Sequence, residues 1–103
     1  MIDWGRIDEL RTEVGDDDFA EIALLFLSEI EEAIEGLPAL GDLAARSDAL
    51  HGMKGSAMNL GFADFARLCA QGEKSPESVD MPHLAQALSA SVAAVRQRFP
   101  ELA

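Results

Sequence analysis

Leu50-His51-Gly52-Met53-Lys54-Gly55-Ser56-Ala57-Met58-Asn59-Leu60-Gly61 sets two glycines beside a histidine in a stretch whose apolar spacing is helical. Each glycine weakens a helix interior by roughly 1 kcal/mol relative to alanine. The segment therefore gives up about 2 kcal/mol to leave bare backbone next to one imidazole, and access for an approaching surface is the expected return. At about 100° per residue, Lys54, Gly55 and Met58 follow His51 on one face at i+3, i+4 and i+7. Leu43, Leu50, Met53, Ala57 and Leu60 share about a third of the circumference and are expected to form the buried stripe. His51, about 100° from Leu50, then stands at the edge of the core with its ring reachable.

Outward from this segment, glycine, proline and aspartate divide the chain into helices. A first helix is expected from Asp3 to Val14, with Ile7, Leu10 and Val14 on one side and Gly15 as its stop. Asp16 to Asp18 supply an N-cap and dipole-matched charge for a long second helix. Its apolar positions Phe19, Ile22, Ala23, Phe26, Ile30, Ala33, Ile34 and Leu37 step by three and four until Gly36 and Pro38 end it. Asp42 caps the third helix, which runs to Leu60, and Asn59-Leu60-Gly61 reads as a tight turn into a fourth helix ending near Lys74. The Ser75-Pro76-Glu77-Ser78 stretch links it to a last helix from Asp80 to Phe99, with Pro82 in the first turn and Pro100 beyond the end. No segment alternates long enough to read as a strand. The expected fold is all-α: an antiparallel up-down four-helix bundle with a short additional N-terminal helix packed at one end. Residues 1–103 are read as a single domain, large enough for one core and too small for two.

The net charge of −11 argues against nucleic acid, since a chain without a basic stripe cannot displace counterions from phosphates. Asp16, Asp17, Asp18, Glu21, Glu29, Glu31, Glu32 and Glu35 concentrate the acid on the second helix, a solvated outer face, and a basic-rimmed protein partner suits that balance. No apolar run approaches the roughly 18 residues that span a bilayer, and no secretory leader is evident, so a cytoplasmic location and no membrane contact are expected. Cys69 stands alone and reads as a small core residue. With His51 and His83 as the sole histidines, no metal-site cluster is expected, and His83 reads as a surface residue of the last helix.

The string His51-x-x-Lys54-Gly55-Ser56 followed by Leu60-Gly61, set in this helical pattern, resembles the histidine-containing phosphotransfer domain of bacterial multistep phosphorelays. The resemblance covers the whole chain. It departs from the family's pattern at Gly72, where many relatives place leucine before the acid, and at Met53, where leucine is more usual. It implies that His51 is the phosphoacceptor, taking a phosphoryl group from a sensor histidine kinase or a receiver-domain aspartate and passing it to a response-regulator receiver domain. The chain would then be a monomeric phosphocarrier in two-component signal transduction, not an enzyme. It would hold no cofactor or metal of its own, the receiver contributing Mg²⁺ and the catalytic groups.

The residues suit that chemistry. An unprotonated imidazole nitrogen is a nucleophile near neutral pH, and phosphoryl transfer needs in-line positioning and charge neutralisation more than covalent help. Lys54 is expected to supply part of the charge, Gly55 to let the partner's rim reach the backbone, and Ser56 to pack or bond locally. A hairpin turning at Leu60-Gly61 brings residues 70–73 alongside His51, so Gln71 or Glu73 could hold its second ring nitrogen. Met58 and Phe62 are expected to form an apolar docking patch. The alternative is a helical interaction module of the same fold that binds a kinase or receiver while His51 stays idle. A kinase fragment is disfavoured, because Gly52 follows the histidine where kinase segments carry an acid and no glycine-rich nucleotide loop exists.

Overall fold

The computed structural model describes residues 1–103 and contains five α-helices and no strand: α1 (Trp4–Val14), α2 (Asp16–Gly36), α3 (Leu43–Asn59), α4 (Ala63–Lys74) and α5 (Met81–Arg98). Short 3₁₀ turns at Leu37–Ala39, Pro76–Ser78 and Pro100–Leu102 each contain a proline, which prevents a continuing helix. Asp3, Asp42 and Asp80 cap α1, α3 and α5 through their carboxylates, accepting from the backbone N–H of Arg6, Ala44 and His83. The expected aspartate cap of α2 is not formed. Gly15, at φ +87°, both ends α1 and precedes α2, leaving no intervening residue to act as a side-chain cap. Asp16, Asp17 and Asp18 instead occupy the first turn, where their charge complements the helix dipole.

One cluster of 21 buried apolar residues draws on every helix. Ile7 and Leu10 come from α1, Phe19, Ala23, Leu27 and Ile30 from α2, Leu50, Met53 and Ala57 from α3, Phe65, Ala66 and Cys69 from α4, and Leu84, Leu88 and Val95 from α5. Two aromatic–cation stacks close the end of the molecule near α1, with Arg98 over Trp4 and Arg11 against Phe19 and Phe99.

The closest pairing is between α3 and α4, which fold back on one another about Leu60–Phe62. Ser47 Oγ donates to the Glu73 carbonyl at 2.9 Å. Gly72 is buried between them, and a Cβ there would lie 3.0 Å from Val79 Cγ2 and 3.1 Å from Leu50 Cδ1. Leu50 thus fills the space a larger residue at 72 would need, which accounts physically for the departure at that position.

Two expectations about burial fail for reasons of position along the bundle. Leu43 shares an angular face with Leu50 but is 47% exposed. Since α4 ends beside Ser47, the turn carrying Leu43 runs past that helix and is only partly covered. Phe62 is only 2% exposed and cannot form a surface patch. It borders a small apolar cleft with Ala23 and Leu27 of α2 and Val92 and Val95 of α5. The N-terminal segment crosses the backbone there, with Ile2 and Phe62 joined in an isolated bridge and Asp3 N–H donating to the Gly61 carbonyl at 2.7 Å.

Candidate functional site

His51 lies midway along α3, on the exposed strip that α2 and α4 flank. Its side chain is 67% exposed, while Leu50 and Met53 on either side are buried in the core. The helix therefore anchors the backbone and leaves the ring outside. A Cβ built on Gly52 or on Gly55 would meet nothing within 4 Å. Neither glycine is required by contacts inside the chain, so the bare backbone beside the imidazole is space that the fold itself does not use.

Glu73 of α4 organises the polar groups. Its Oε1 lies 2.7 Å from His51 Nδ1, and its Oε2 accepts from Lys54 Nζ at 2.8 Å. The Lys54 hydrogen bond, followed by that from His51, holds the Glu73 carboxyl below the usual carboxylate range despite partial desolvation. An ionised carboxylate can only accept, so the proton of a neutral His51 ring sits on Nδ1 and the lone pair on Nε2. Nε2 makes no hydrogen bond within the chain. Because the folded-state value of Glu73 is depressed, its pairing stabilises the fold above the ordinary glutamate range, and that contribution disappears as pH falls through the lowered value.

The other residues of interest are distributed around this triad. Gln71 does not reach His51: two positions before Glu73 it is turned about 200° away and lines a groove with Leu68, Ser75, Val79 and His83 on the α5 side. Ser56 bonds neither backbone nor the imidazole, its Oγ donating to Glu29 Oε2 of α2 at 3.3 Å. Met58 is 58% exposed two turns from His51, whereas its expected companion Phe62 is in the core. His83 is exposed at the start of α5. Cys69 is buried, and burial, followed by the nearby Glu73 charge, pushes its thiol up to about 12. It stays protonated and offers no second nucleophile.

Sequence reasoning did not single out Arg67, Ala70 or Lys74. The signal was available, because Ala63, Arg67, Ala70 and Lys74 are spaced by four, three and four and so share one face of α4.

No helix is long and apolar enough to cross a membrane. The family model described as Hpt domain matches residues 5–98. Among curated proteins and among solved structures, none matches the chain.

Proposed function

The chain belongs to the Hpt domain family, whose members are phosphocarriers of two-component phosphorelays that interact with kinases and receiver domains, and from that premise we propose that His51 is its phosphoacceptor. The observation that carries this reading is an exposed imidazole with Nδ1 held by an ionised carboxylate and Nε2 unengaged beside two bare glycines. Nε2 attacks the phosphorus of a receiver's aspartyl phosphate. The N–P bond forms, the acyl phosphate O–P bond breaks, and the aspartate leaves as a carboxylate. The ring keeps its Nδ1 proton and becomes cationic, which the Glu73 carboxylate stabilises, and Lys54 contributes positive charge next to the incoming phosphoryl group. The reverse sequence returns the group to a receiver.

Residues 1–103 act as one phosphotransfer domain and as a monomer, with α2 to α5 as an antiparallel up-down four-helix bundle and α1 across one end. Short connections between successive helices support that arrangement. Mg²⁺ is carried by the receiver: the one carboxylate bonded to His51 is Glu73, already committed to Lys54 and the ring. Phosphoryl groups enter from a kinase or receiver and leave to a response-regulator receiver domain in the cytoplasm.

The test is incubation of the chain with a receiver domain phosphorylated by acetyl phosphate. A transferred label that is acid-labile and base-stable, located to the His51 peptide by mass spectrometry, is expected. A base-labile label would place the phosphoryl group on a carboxylate and overturn the assignment.

Glu73→Ala should slow transfer about 10- to 100-fold, the size of loss that follows removal of a carboxylate orienting a metal-bound histidine, where the partner fixes the tautomer in the same way. Glu73→Gln keeps a carbonyl oxygen to accept from Nδ1–H but loses the ion pair with Lys54, so a smaller loss is expected. Ring ¹⁵N spectra check the cause. The Nδ1–H tautomer should persist in Glu73→Gln and give way to a mixture in Glu73→Ala. An unchanged tautomer in Glu73→Ala would show that the carboxylate does not set it.

A further inference from the structure

The chain has eight Lys and Arg residues against nineteen acids, and most of these cations are occupied. Arg6 pairs with Glu9 and Glu13, Arg11 with Asp16, Arg98 with Asp8 and Lys54 with Glu73. Arg46 and Arg96 donate to the carbonyls of Leu40 and Leu102. Arg67 and Lys74 remain without an ion pair or side-chain hydrogen bond, and both are exposed on α4. At 100° per residue, Ala63, Arg67, Ala70 and Lys74 fall within about 60° of arc.

Between this stripe and α3 lies an open groove of about 440 Å³, lined by Lys54, Met58, Ala63, Ala66, Arg67 and Ala70 together with Asp3 and Arg6. The Asp3 carboxylate is committed to the α1 cap, and Lys74 stands beyond the groove on the same face of α4. The groove opens one turn from His51 through Lys54. On the other flank of α3 the charge has the opposite sign. Residues 16–36 contain no Lys or Arg, and Glu29, whose carboxylate reaches Ser56 of α3, is followed at the next turn by Glu32. The strip carrying His51 thus runs between an acidic helix and one bearing two cations that form no salt bridge. Arg67 stands one turn after Asp64, whose carboxyl is lowered first by the N-terminal ammonium and further by the Arg67 charge.

We propose that the α3–α4 groove receives the acidic lip of a receiver domain's phosphorylation site, which fixes the rotation of the partner about His51 with its carboxylates over Arg67 and Lys74 and away from α2. This rests on the phosphoacceptor reading of His51. A site that is phosphorylated on aspartate and holds a divalent cation must gather several carboxylates. The overall charge of −11 favours a partner with a basic rim, and α2 meets such a rim. A carboxylate cluster approaching His51 finds attraction on the α4 side and repulsion from Glu29 and Glu32 on the other. The small residues Ala63, Ala66 and Ala70 leave room for an apolar side chain at the edge of that lip, against Met58.

The test measures the second-order rate constant for transfer from a receiver domain phosphorylated by acetyl phosphate, chosen as the fastest donor to the wild-type chain. The double variant Arg67→Ala/Lys74→Ala should lower it about 10-fold near 50 mM salt, shrinking toward 2-fold near 1 M as screening removes the attraction. Ala85→Glu/Ala93→Glu, at exposed positions of α5 away from Arg67, changes the net charge equally and should stay within about 2-fold of wild type, thermal melts confirming that both variants fold. Ala70→Gln, which narrows the groove without altering charge, should slow transfer at every salt concentration. Wild-type rates in the Arg67/Lys74 and Ala70 variants, or an equal loss in the α5 variant, would overturn the groove assignment. Labelling of the wild-type chain by phosphoramidate, which needs no partner protein, reads the His51 assignment separately. If phosphoramidate labels His51 while the groove variants transfer normally, only the docking proposal falls; if neither donor labels it, both fall.

Discussion

His51→Gln is expected to hold no phosphoryl group from any donor while melting within about 0.5 kcal/mol of the wild-type stability, the usual range for an exposed position. The side chain is 67% exposed and its neighbours Leu50 and Met53 carry the packing, so the fold does not depend on the ring. Glutamine retains a donor for Glu73 but has no nucleophilic lone pair comparable to that of Nε2. Loss of label with an unchanged melt therefore isolates the nucleophile from the scaffold. His83→Gln, at the exposed start of α5, is the matched control and should label normally. Label retained in His51→Gln would remove the phosphocarrier mechanism from this residue. If the wild-type chain binds the receiver and is never labelled, the interaction-module alternative stands in its place.

The difference between what could be read and what could not lies in the range of the interactions. The start of α3 follows from Asp42 acting on the Ala44 N–H two residues on, whereas the equally local cap read at Asp16 to Asp18 fails because Gly15 joins α1 directly to α2. Asp3 and Asp80, read only as helix starts, are the caps of α1 and α5. The exposure of His51 follows from its angle to Leu50 on a single helix. Phe62 is different. It lies beside Ala23, Leu27, Val92 and Val95, residues of α2 and α5 distant in sequence, and nothing in the local spacing around the turn records that these helices meet there. The choice between Gln71 and Glu73 depended on how α4 is rotated against α3. Gly72, packed on Leu50, fixes that rotation and puts Glu73 toward His51. Lys54 could be placed on the right face from its i+3 spacing, but its engagement by Glu73 needed the second helix in position.

Gly61→Ala should be the most destabilising single-methyl addition, at about 3 kcal/mol. Gly61 ends α3 with φ +70°, and the two bonds that close this end are Phe62 N–H to the Ala57 carbonyl at 2.9 Å and Gly61 N–H to the Met58 carbonyl at 3.2 Å. An alanine forced into the left-handed region costs roughly 1–2 kcal/mol. Here a Cβ would also collide with the Asp3 backbone, displacing the strand-like segment whose N–H bonds the Gly61 carbonyl and forfeiting about another 1 kcal/mol. For a domain of this size the melting temperature should fall by more than about 10 °C. Gly55→Ala is expected to move the other way, gaining up to about 1 kcal/mol, because the position is helical and its Cβ would enter open space. Urea denaturation of both variants measures the contrast, and a loss of only about 1–2 kcal/mol for Gly61→Ala would show that the Asp3 segment yields without resistance and leaves the backbone cost alone. A stabilised Gly55→Ala would demonstrate that the glycine beside His51 is retained against the interest of the fold. Its advantage must then lie in what approaches the imidazole from outside.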